Sequence, residues 1–455
     1  MRKLLQRPDL LFLTLAVPVG LVLCILIPPL GGGNETHNFE RVSGIAYGQL
    51  LVGPAEVPAG IVDFIDEGFR FFHQGLDLPF SYPTAEYSTM AGIALRAEAM
   101  SVVPPNVIVV HHPFSYVPQA LLVRLLAALG ASPLTLFLGA RIAGLLSALA
   151  LTFVAIRNMP SHRYALAALA LLPPIVYSRS TVDADPLTNA LAFLFIAGVL
   201  RATLGGGVLP MRHLVGLAAL AFVIAQCKSA YLVLPFAVLA IPARRFPSSA
   251  SRWFWMAALI LPGVMASLGW IVLVKHSLFA AGVNYTTWSG AVDPDAQLAW
   301  VLQHPIDYAG ILLRKVFLTN FLLRVLVEML GLFGPPVLLG PALVLPLLAL
   351  FGAAILADPT KRAKYPTALL WLGPLIVVAF TAFALTLLYV QWTALGSYTI
   401  DGFQGRYLYP LTPLLLVLMR VTPRRLAAAP GCALLASGAF GIVAMLWKVI
   451  WAYYG

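Results

Sequence analysis

The chain is poor in charge and in cysteine. Only 10% of its 455 residues are Asp, Glu, Lys or Arg, and 60% are hydrophobic, which excludes an ordinary soluble domain and is typical of a protein surrounded by lipid. Cys24, Cys227 and Cys432 lie far apart in apolar segments, so they support neither a disulfide framework nor a thiolate metal site. A Gly-rich phosphate loop between a strand and a helix is also missing, which argues against a soluble nucleotide-sugar as substrate.

Long apolar runs make up most of what remains. Runs of about 15 to 24 residues predict transmembrane helices. The first run has no small-x-small cleavage site after it, so we interpret it as a retained span and not as a signal peptide. The sequence thus predicts one all-α polytopic integral-membrane domain over 1–455. Its spans, about eleven in number, are 10–29, 134–156, 164–181, 186–203, 213–227, 229–243, 253–275, 336–357, 367–390, 407–421 and 430–452.

The basic residues predict the orientation. Cytoplasmic loops retain Lys and Arg, and 16 of the 29 fall in alternate short connections that hold only two acids, Asp9 and Asp358. The N-terminus is then cytoplasmic in the inner membrane, the C-terminus is outside, and the net charge of +11 reports topology and not nucleic acid. If the short spans flanking Lys228 were one broken helix, everything downstream would invert. The sixteen are Arg2, Lys3, Arg7, Arg157, Arg163, Arg201, Arg212, Arg244, Arg245, Arg252, Lys361, Arg362, Lys364, Arg420, Arg424 and Arg425.

Two predicted extracytoplasmic segments, 30–133 and 276–335, are too long to be simple turns. The first contains FSYVPQALLVRLLAAL, an apolar stretch interrupted by Arg124. The second contains DAQLAWVLQHPIDYAGILLRKVF, which alternates polar and apolar residues at helical spacing. Both predict helices that lie in the membrane interface.

Several motifs resemble those of a known family. A first span, a large acidic loop, an interfacial helix after HHPFSY, Arg141 in the second span and an acid after the third resemble the GT-C superfamily of glycosyltransferases. More narrowly, the chain resembles the bacterial membrane proteins grouped as domain of unknown function 2142. It departs from that pattern at Asn34, where the family usually has Asp. The motifs are IPPLGGGNETHNFERVSGIAYG, LLPPIVYSRSTVDADPL, CKSAYLVLP, QLAWVLQHPIDY and IDGFQGRYLYPLTPL.

The resemblance implies a membrane glycosyltransferase. Such an enzyme moves a sugar from a polyprenyl-phosphate donor to an envelope glycan, lipid or protein acceptor on the extracytoplasmic face, and a single displacement would invert the anomeric carbon. A transporter or flippase for a lipid-linked glycan is the alternative, although paired repeats and midplane charges are not evident. A non-catalytic scaffold in glycan assembly is a third hypothesis.

Three acids beside predicted spans are the candidate catalytic residues. Glu35 follows the first span and is the candidate base for the acceptor hydroxyl; its alternative is to cap a helix that begins near Thr36. Asp183 and Asp185 form an Asp-x-Asp pair whose oxygens suit a divalent cation, with Asp185 matching the family aspartate. The alternative for Asp185, directly before Pro186, is a helix cap.

Basic, imidazole and aromatic side chains complete the predicted site. Lys228 and Arg406 are assigned to the donor phosphate, with snorkelling to lipid headgroups as the alternative. His37, His111 and His112 are candidate metal ligands with Glu35, although their spacing is not diagnostic. Arg141, costly inside an apolar helix unless paired, has Glu328 as its candidate partner. The remaining predicted substrate contacts are His37, His112, Tyr231, Gln404 and Tyr407, of which the tyrosines are also candidates for interfacial aromatics.

Overall fold

The structure of the protein is a computed structural model. It describes residues 2–51, 53–72, 82–104, 108, 111–280, 286–287, 290–334, 337–358, 365–418 and 430–455. Its helices are α1 Arg2–Leu5, α2 Pro8–Leu26, α3 Glu35–Ala46, α4 Ala59–Phe72, α5 Thr84–Ala91, α6 Val117–Ala128, α7 Pro133–Asn158, α8 Arg163–Ala170, α9 Pro173–Arg179, α10 Asp185–Leu204, α11 Met211–Cys227, α12 Ser249–Ala280, α13 Pro294–Gln303, α14 Pro305–Leu313, α15 Phe321–Gly331, α16 Pro341–Leu356, α17 Thr367–Gln391, α18 Thr412–Leu416 and α19 Pro430–Tyr454.

Strands and tighter helices are few and short. Three antiparallel hairpins are formed by β1 Ala55–Pro58 with β2 Met100–Val103, β3 Thr286–Thr287 with β4 Gly290–Ala291, and β5 Leu332–Gly334 with β6 Val337–Leu338. The 3₁₀ segments are Pro113–Tyr116, Ser229–Ala240, Ala243–Arg245 and Gly405–Leu411, and Arg314–Leu318 is a π turn. The chain is an all-α polytopic membrane protein, as the sequence predicts.

Six of the described helices are long and apolar enough to cross a bilayer. They are α2, α7, α10, α12 over Ser249–Val274, α17 and α19. Shorter apolar segments lie among them, at α11, Ser229–Ala240 and α16. These bounds follow the predicted spans closely because the length of an apolar run is set by the thickness of the hydrocarbon layer.

Contacts at the two ends of the bundle establish the direction of each segment. We call the end at which α2 begins the lower end, and the end at which it finishes the upper end. At the lower end, the Tyr164 hydroxyl donates to the Leu5 carbonyl at 3.0 Å, and Asp358 accepts from the Tyr164 amide at 2.8 Å. At the upper end, the Tyr454 hydroxyl donates to the Leu26 carbonyl at 2.8 Å. The chain therefore starts at the lower end and α19 finishes at the upper end.

The segments on either side of Lys228 are two separate crossings. Lys228 contacts Asp185, at the upper start of α10, whereas Arg245 donates to the Ala202 carbonyl, near its lower finish, at 2.7 Å. The segment Ser229–Ala240 spans the distance between them in 12 residues. A 3₁₀ helix rises about 2.0 Å per residue against 1.5 Å in an α-helix, so this short segment reaches about 24 Å. The topology downstream of Lys228 is therefore the one that the sequence predicts.

One predicted span, 164–181, is a broken helix. It divides into α8 and α9 at the dipeptide Pro173-Pro174. Proline has no N–H, so Pro174 leaves the carbonyl of Ala170, four residues earlier, without its helical donor. The buried Arg179 guanidinium supplies that donor at 2.7 Å. A membrane segment tolerates a break only where other groups satisfy its backbone, and this arginine does so.

The described part of the segment 30–133 packs at the upper end around its own apolar cluster. The cluster joins α3, α4, α6 and the start of α7 through Phe39, Phe64 and Phe137, whose rings meet at 5.1 to 5.9 Å. The apolar side chains of α6 at four-residue spacing, Val117, Leu121 and Leu125, point outward. Leu129, just after α6, extends this exposed stripe, which is the pattern of a helix lying in a membrane interface.

Within the described part of the segment 276–335, the helices after α12 are three short ones, none long enough to cross a bilayer. Helices α13, α14 and α15 expose large apolar side chains, among them Leu302, Ile306 and Leu322. The sequence predicts one interfacial helix in this segment, and the structure divides it into pieces. Of the sixteen basic residues assigned to one side, Lys361, Arg362, Lys364, Arg420, Arg424 and Arg425 lie outside the described residues.

Candidate active site

At the upper end of α2, side chains satisfy most of the last carbonyl groups. A helix finishes with four carbonyls that lack intrahelical donors. The Leu23 carbonyl accepts from the Ile27 amide at 3.0 Å. Those of Ile25 and Leu26 accept from the hydroxyls of Tyr87 and Tyr454. The Cys24 carbonyl accepts from Arg141, as do the carbonyls of Ile27 and Pro28 beyond the helix, at 2.7 to 2.9 Å.

Glu35 is the counter-ion of Arg141. Both side chains are 0% exposed, and Arg141 donates from Nε and Nη2 to the two carboxylate oxygens at 2.8 and 2.7 Å. The same oxygens accept from the backbone amides of Val182 and Gly32 at 2.8 and 2.9 Å. The four donors come from three different parts of the chain. The pair therefore joins α2, α3, α7 and the loop before α10.

This arrangement corrects one prediction and changes the interpretation of another. Glu328 is not the partner of Arg141; it contacts Arg324 and Gly405 instead. Glu35 does begin a helix, α3, but its side chain accepts from Gly32 and Val182 and does not cap that helix. A carboxylate with four donors and no exposed surface is poorly placed to take a proton from an acceptor.

Asp183 and Asp185 lie in the loop that Glu35 fixes. Val182, whose amide donates to Glu35, directly precedes Asp183. Asp183 accepts from the Ser178 hydroxyl at 3.1 Å and from the amide of Asp185 at 3.2 Å. Asp185 is the first residue of α10, where the helix dipole favours a negative charge. Both acids are thus held at the upper end of the bundle. Asp185 does not cap α10, because the cap position is Ala184 and no side chain caps the helix; only the favourable dipole remains of that alternative.

Lys228 and Arg406 meet the two aspartates. Lys228 forms an ion pair with Oδ1 of Asp185. Arg406 is less tightly engaged, since its Nη1 lies 3.6 Å from Oδ2 of Asp183 and 3.6 Å from Oδ2 of Asp185. The structure thus brings together four residues that the sequence places on three separate loops. We call Asp183, Asp185, Lys228 and Arg406 the charged cluster.

The charged cluster is not closed on itself. Within the part of the chain that the structure describes, Oδ2 of Asp185 and Nε of Arg406 are buried without a hydrogen-bond partner. Such atoms are costly unless another group satisfies them. Arg406 keeps 22% of its side chain exposed and Lys228 keeps 14%. The cluster therefore has hydrogen-bonding atoms without a partner, and its two basic side chains remain partly exposed to a ligand.

Tyrosine side chains form one wall of the cluster. The Tyr407 ring centroid lies 5.6 Å from Nζ of Lys228 and 5.9 Å from the Arg406 guanidinium, within the range of cation–π contact. The Tyr231 hydroxyl donates to the Tyr407 carbonyl at 3.0 Å, and its ring stacks on Phe380. Both predicted tyrosines thus contact the cluster or its backbone. Gln404 lies half-buried two residues before Arg406.

The two aspartates differ in their local environment. Burial raises the pKa of Asp183, and the neighbouring Asp185 carboxylate raises it further. Asp185 has the direct ion pair with Lys228, which Asp183 lacks. Carboxylates in such different surroundings are able to take different chemical tasks, one transferring a proton and the other pairing with a cation.

The histidines do not form a metal site in the described part of the chain. His37 lies 3.0 Å from Glu40, while His112 packs against Phe114 and Trp270. Burial lowers the pKa of His111 to about 3 and that of His112 to about 4, so both rings are neutral. Among the described residues, no group of three or more His, Cys, Asp or Glu side chains is arranged to hold a metal ion. Lys228 and Arg406 occupy the positions beside the Asp-x-Asp oxygens.

The comparison with known families agrees with this architecture. The family model described as "Predicted membrane protein (DUF2142)" matches residues 90–415, which is most of the chain. The chain belongs to the DUF2142 family. No curated protein and no solved structure matches it. The matched span contains the whole charged cluster and begins after Glu35 and His37. The family is named only as a membrane protein, so it fixes architecture and not chemistry.

Sequence reasoning missed several residues of the site. Ser178 contacts Asp183, and Glu328 contacts the backbone beside Arg406. Ser178 lies five residues before Asp183 in the motif LLPPIVYSRSTVDADPL, so the sequence contained a signal for this contact. Nothing in the spacing of Glu328 indicates its contact with Gly405, 77 residues away.

Proposed function

We propose that the protein is a membrane glycosyltransferase whose active site is the charged cluster. The observation that carries the proposal is the incomplete pairing of Arg406. Its Nε has no partner among the described residues, and its Nη1 lies 3.6 Å from both aspartates. A guanidinium with unused donors beside a lysine suits a phosphate. The donor is a polyprenyl-phosphate sugar and the acceptor a hydroxyl of a glycan, lipid or protein.

In the proposed reaction, an acceptor oxygen attacks the anomeric carbon of the donor sugar. The bond between that carbon and the phosphate oxygen breaks, and the lipid phosphate leaves with the electron pair. Lys228 and Arg406 stabilise the negative charge that the phosphate gains, which is the step at which fixed cations accelerate the reaction most. A single displacement of this kind inverts the anomeric carbon.

Asp183 is the proposed base in this scheme. The acceptor hydroxyl loses its proton as the new bond forms, and a carboxylate must take that proton. Asp185 is a weak base because Lys228 stabilises its ionised form, whereas burial and the charge of Asp185 favour protonation of Asp183. The Asp183 side chain is also partly accessible, unlike that of Glu35.

The upper end is the proposed extracytoplasmic face. Described basic residues of the predicted cytoplasmic group, including Arg157, Arg201 and Arg245, lie at the lower end. Positive loops favour the cytoplasm. The charged cluster then faces the periplasm of the inner membrane, where lipid-linked sugars are available and nucleotides are not.

The proposal is tested with Arg406→Gln and the matched control Arg212→Gln, which changes an exposed arginine at the lower start of α11. Purified full-length protein in lipid nanodiscs is screened with radiolabelled polyprenyl-phosphate sugars, and surface glycans are analysed in a complemented deletion strain. We expect Arg406→Gln to lower the transfer rate about 10²-fold or more at normal membrane abundance. Arg212→Gln should match the wild type.

Two results together would overturn the proposal. One is that wild-type protein neither transfers nor hydrolyses any donor in the screen. The other is that Arg406→Gln restores the glycans of the deletion strain as well as the wild type does. A transporter would instead change the side of the membrane on which a labelled lipid-linked glycan accumulates without changing its covalent structure.

A further inference from the structure

Gly405 holds the Arg406 segment unusually close to α15. A Cβ at position 405 would lie 2.4 Å from the carbonyl oxygen of Val325 and 2.9 Å from Cβ of Glu328. Both groups belong to one turn of α15. Only glycine permits this approach, because a carbonyl oxygen in a helix cannot move aside. The glycine of the Gln-Gly-Arg-Tyr motif is thus explained by backbone packing.

Glu328 completes the same contact with a hydrogen bond. Its Oε2 accepts from the Gly405 amide at 2.7 Å, and its Oε1 accepts from Nε of Arg324 at 2.6 Å. The Glu328 side chain is buried, whereas Arg324 is mostly exposed. A second bond, from the Tyr409 hydroxyl to the Met329 carbonyl at 2.6 Å, ties the same 3₁₀ segment to α15. The backbone on either side of Arg406 is therefore fixed by one helix.

We propose that Glu328 is a positioning residue for Arg406. By holding the Gly405 amide, it sets the direction in which the Arg406 guanidinium leaves the backbone and so keeps it 3.6 Å from both aspartates with its Nε free for a ligand. This rests on the proposed function, in which Arg406 binds the donor phosphate. Glu328 itself does not touch the substrate.

The contact also links the site to an exposed apolar face, because helix α15 carries exposed leucines at Leu322 and Leu323. The sharpest test is whether Glu328 and Arg406 act on phosphate binding as one unit.

Binding of a long-chain polyprenyl phosphate to the purified full-length protein is measured for Glu328→Ala, Glu328→Gln and Arg406→Gln, and for the double variant Glu328→Ala with Arg406→Gln. We expect Glu328→Ala to weaken binding about tenfold, as for the loss of a charge-assisted hydrogen bond. Glu328→Gln keeps an oxygen for the Gly405 amide and should stay within about threefold. The control Arg212→Gln, at an exposed site at the lower start of α11, should bind as the wild type does.

The double variant separates positioning from a general structural role. If Glu328 acts through Arg406, then Glu328→Ala has no further effect in the Arg406→Gln background. An equal loss in both backgrounds, or wild-type affinity of Glu328→Ala, would overturn the proposal. Hydrogen exchange of the peptide containing Gly405 and Arg406 supplies a readout that does not depend on the donor. Faster exchange in Glu328→Ala supports the contact even if the wild type binds no polyprenyl phosphate, a result that would count against the proposed function alone.

Discussion

Replacing Arg141 with Met is expected to lower the free energy of unfolding by about 3–5 kcal/mol. The change leaves the Glu35 carboxylate buried without its counter-ion and removes the donors to the carbonyls of Cys24, Ile27 and Pro28. Glu35→Ala should cost a similar amount because it leaves Arg141 uncompensated. The measurement is the thermal unfolding midpoint in detergent, together with the fraction of protein that elutes as a single species.

The double variant Glu35→Gln with Arg141→Met distinguishes a structural carboxylate from a catalytic one. Removing both charges avoids an unpaired ion, so the part of the lost stability that comes from the unpaired charge should return, although the carbonyls of Cys24, Ile27 and Pro28 stay without the Arg141 donors. If the proposed transfer takes place at the charged cluster and Glu35 only contacts the Val182 amide, transfer activity should return as well. A stable double variant with no activity would identify Glu35 as the base after all. The exposed pair Asp63 and Arg96 is the control, and Asp63→Asn should change stability by less than about 1 kcal/mol.

The spans were predictable because the bilayer imposes them. Apolar runs and alternating basic connections located α2, α7, α10 and α17 to within a few residues. The conformation of Ser229–Ala240 was not predictable, because composition shows that a run is apolar but not whether it winds as an α or a 3₁₀ helix. The break at Pro173 was visible in the sequence, but its repair by Arg179 needed the structure.

The site was predictable in its members but not in its pairings. Asp185, Lys228 and Arg406 all flank apolar runs on the same predicted side, and the structure places them together. Glu35 has the same position relative to its span, yet it pairs with Arg141 from 106 residues away. Hydrophobic patterning shows which residues lie at an end of the bundle. It does not show which helices are neighbours, and this is why Glu328 was wrongly assigned to Arg141.

Asp183→Asn is expected to lower the transfer rate by about 10²- to 10⁴-fold, the range for loss of a general base, with little change in donor affinity. Asn keeps the shape of the side chain and its contacts with Ser178 and the Asp185 amide, but it cannot take a proton. Asp185→Asn should instead weaken donor binding. The ion pair with Asp185 holds Lys228 in place, and without it the ammonium group is no longer fixed beside the donor phosphate. Single-turnover rates and donor affinities measured on the same preparations separate the two effects. Asp307→Asn, at an exposed acid of α14, is the control.

The role of Asp183 also predicts how the transfer rate depends on pH. The base works only when ionised, and burial beside Asp185 raises its pKa, so the wild-type rate should begin to fall at a higher pH than an ordinary aspartate would dictate. In Asp183→Asn the residual rate should not show this fall with decreasing pH. The free energy of unfolding should change with pH in the opposite direction to the rate. A raised pKa of Asp183 means that the folded protein binds this proton more tightly than the unfolded chain does. The folded protein therefore loses stability as the pH rises through that pKa. Asp183→Asn should therefore unfold no earlier than the wild type at neutral pH. Two results for Asp183→Asn would show that Asp183 supports the fold and does not take the proton. One is a lower unfolding midpoint than that of the wild type, and the other is a transfer rate that still falls at acid pH as the wild-type rate does.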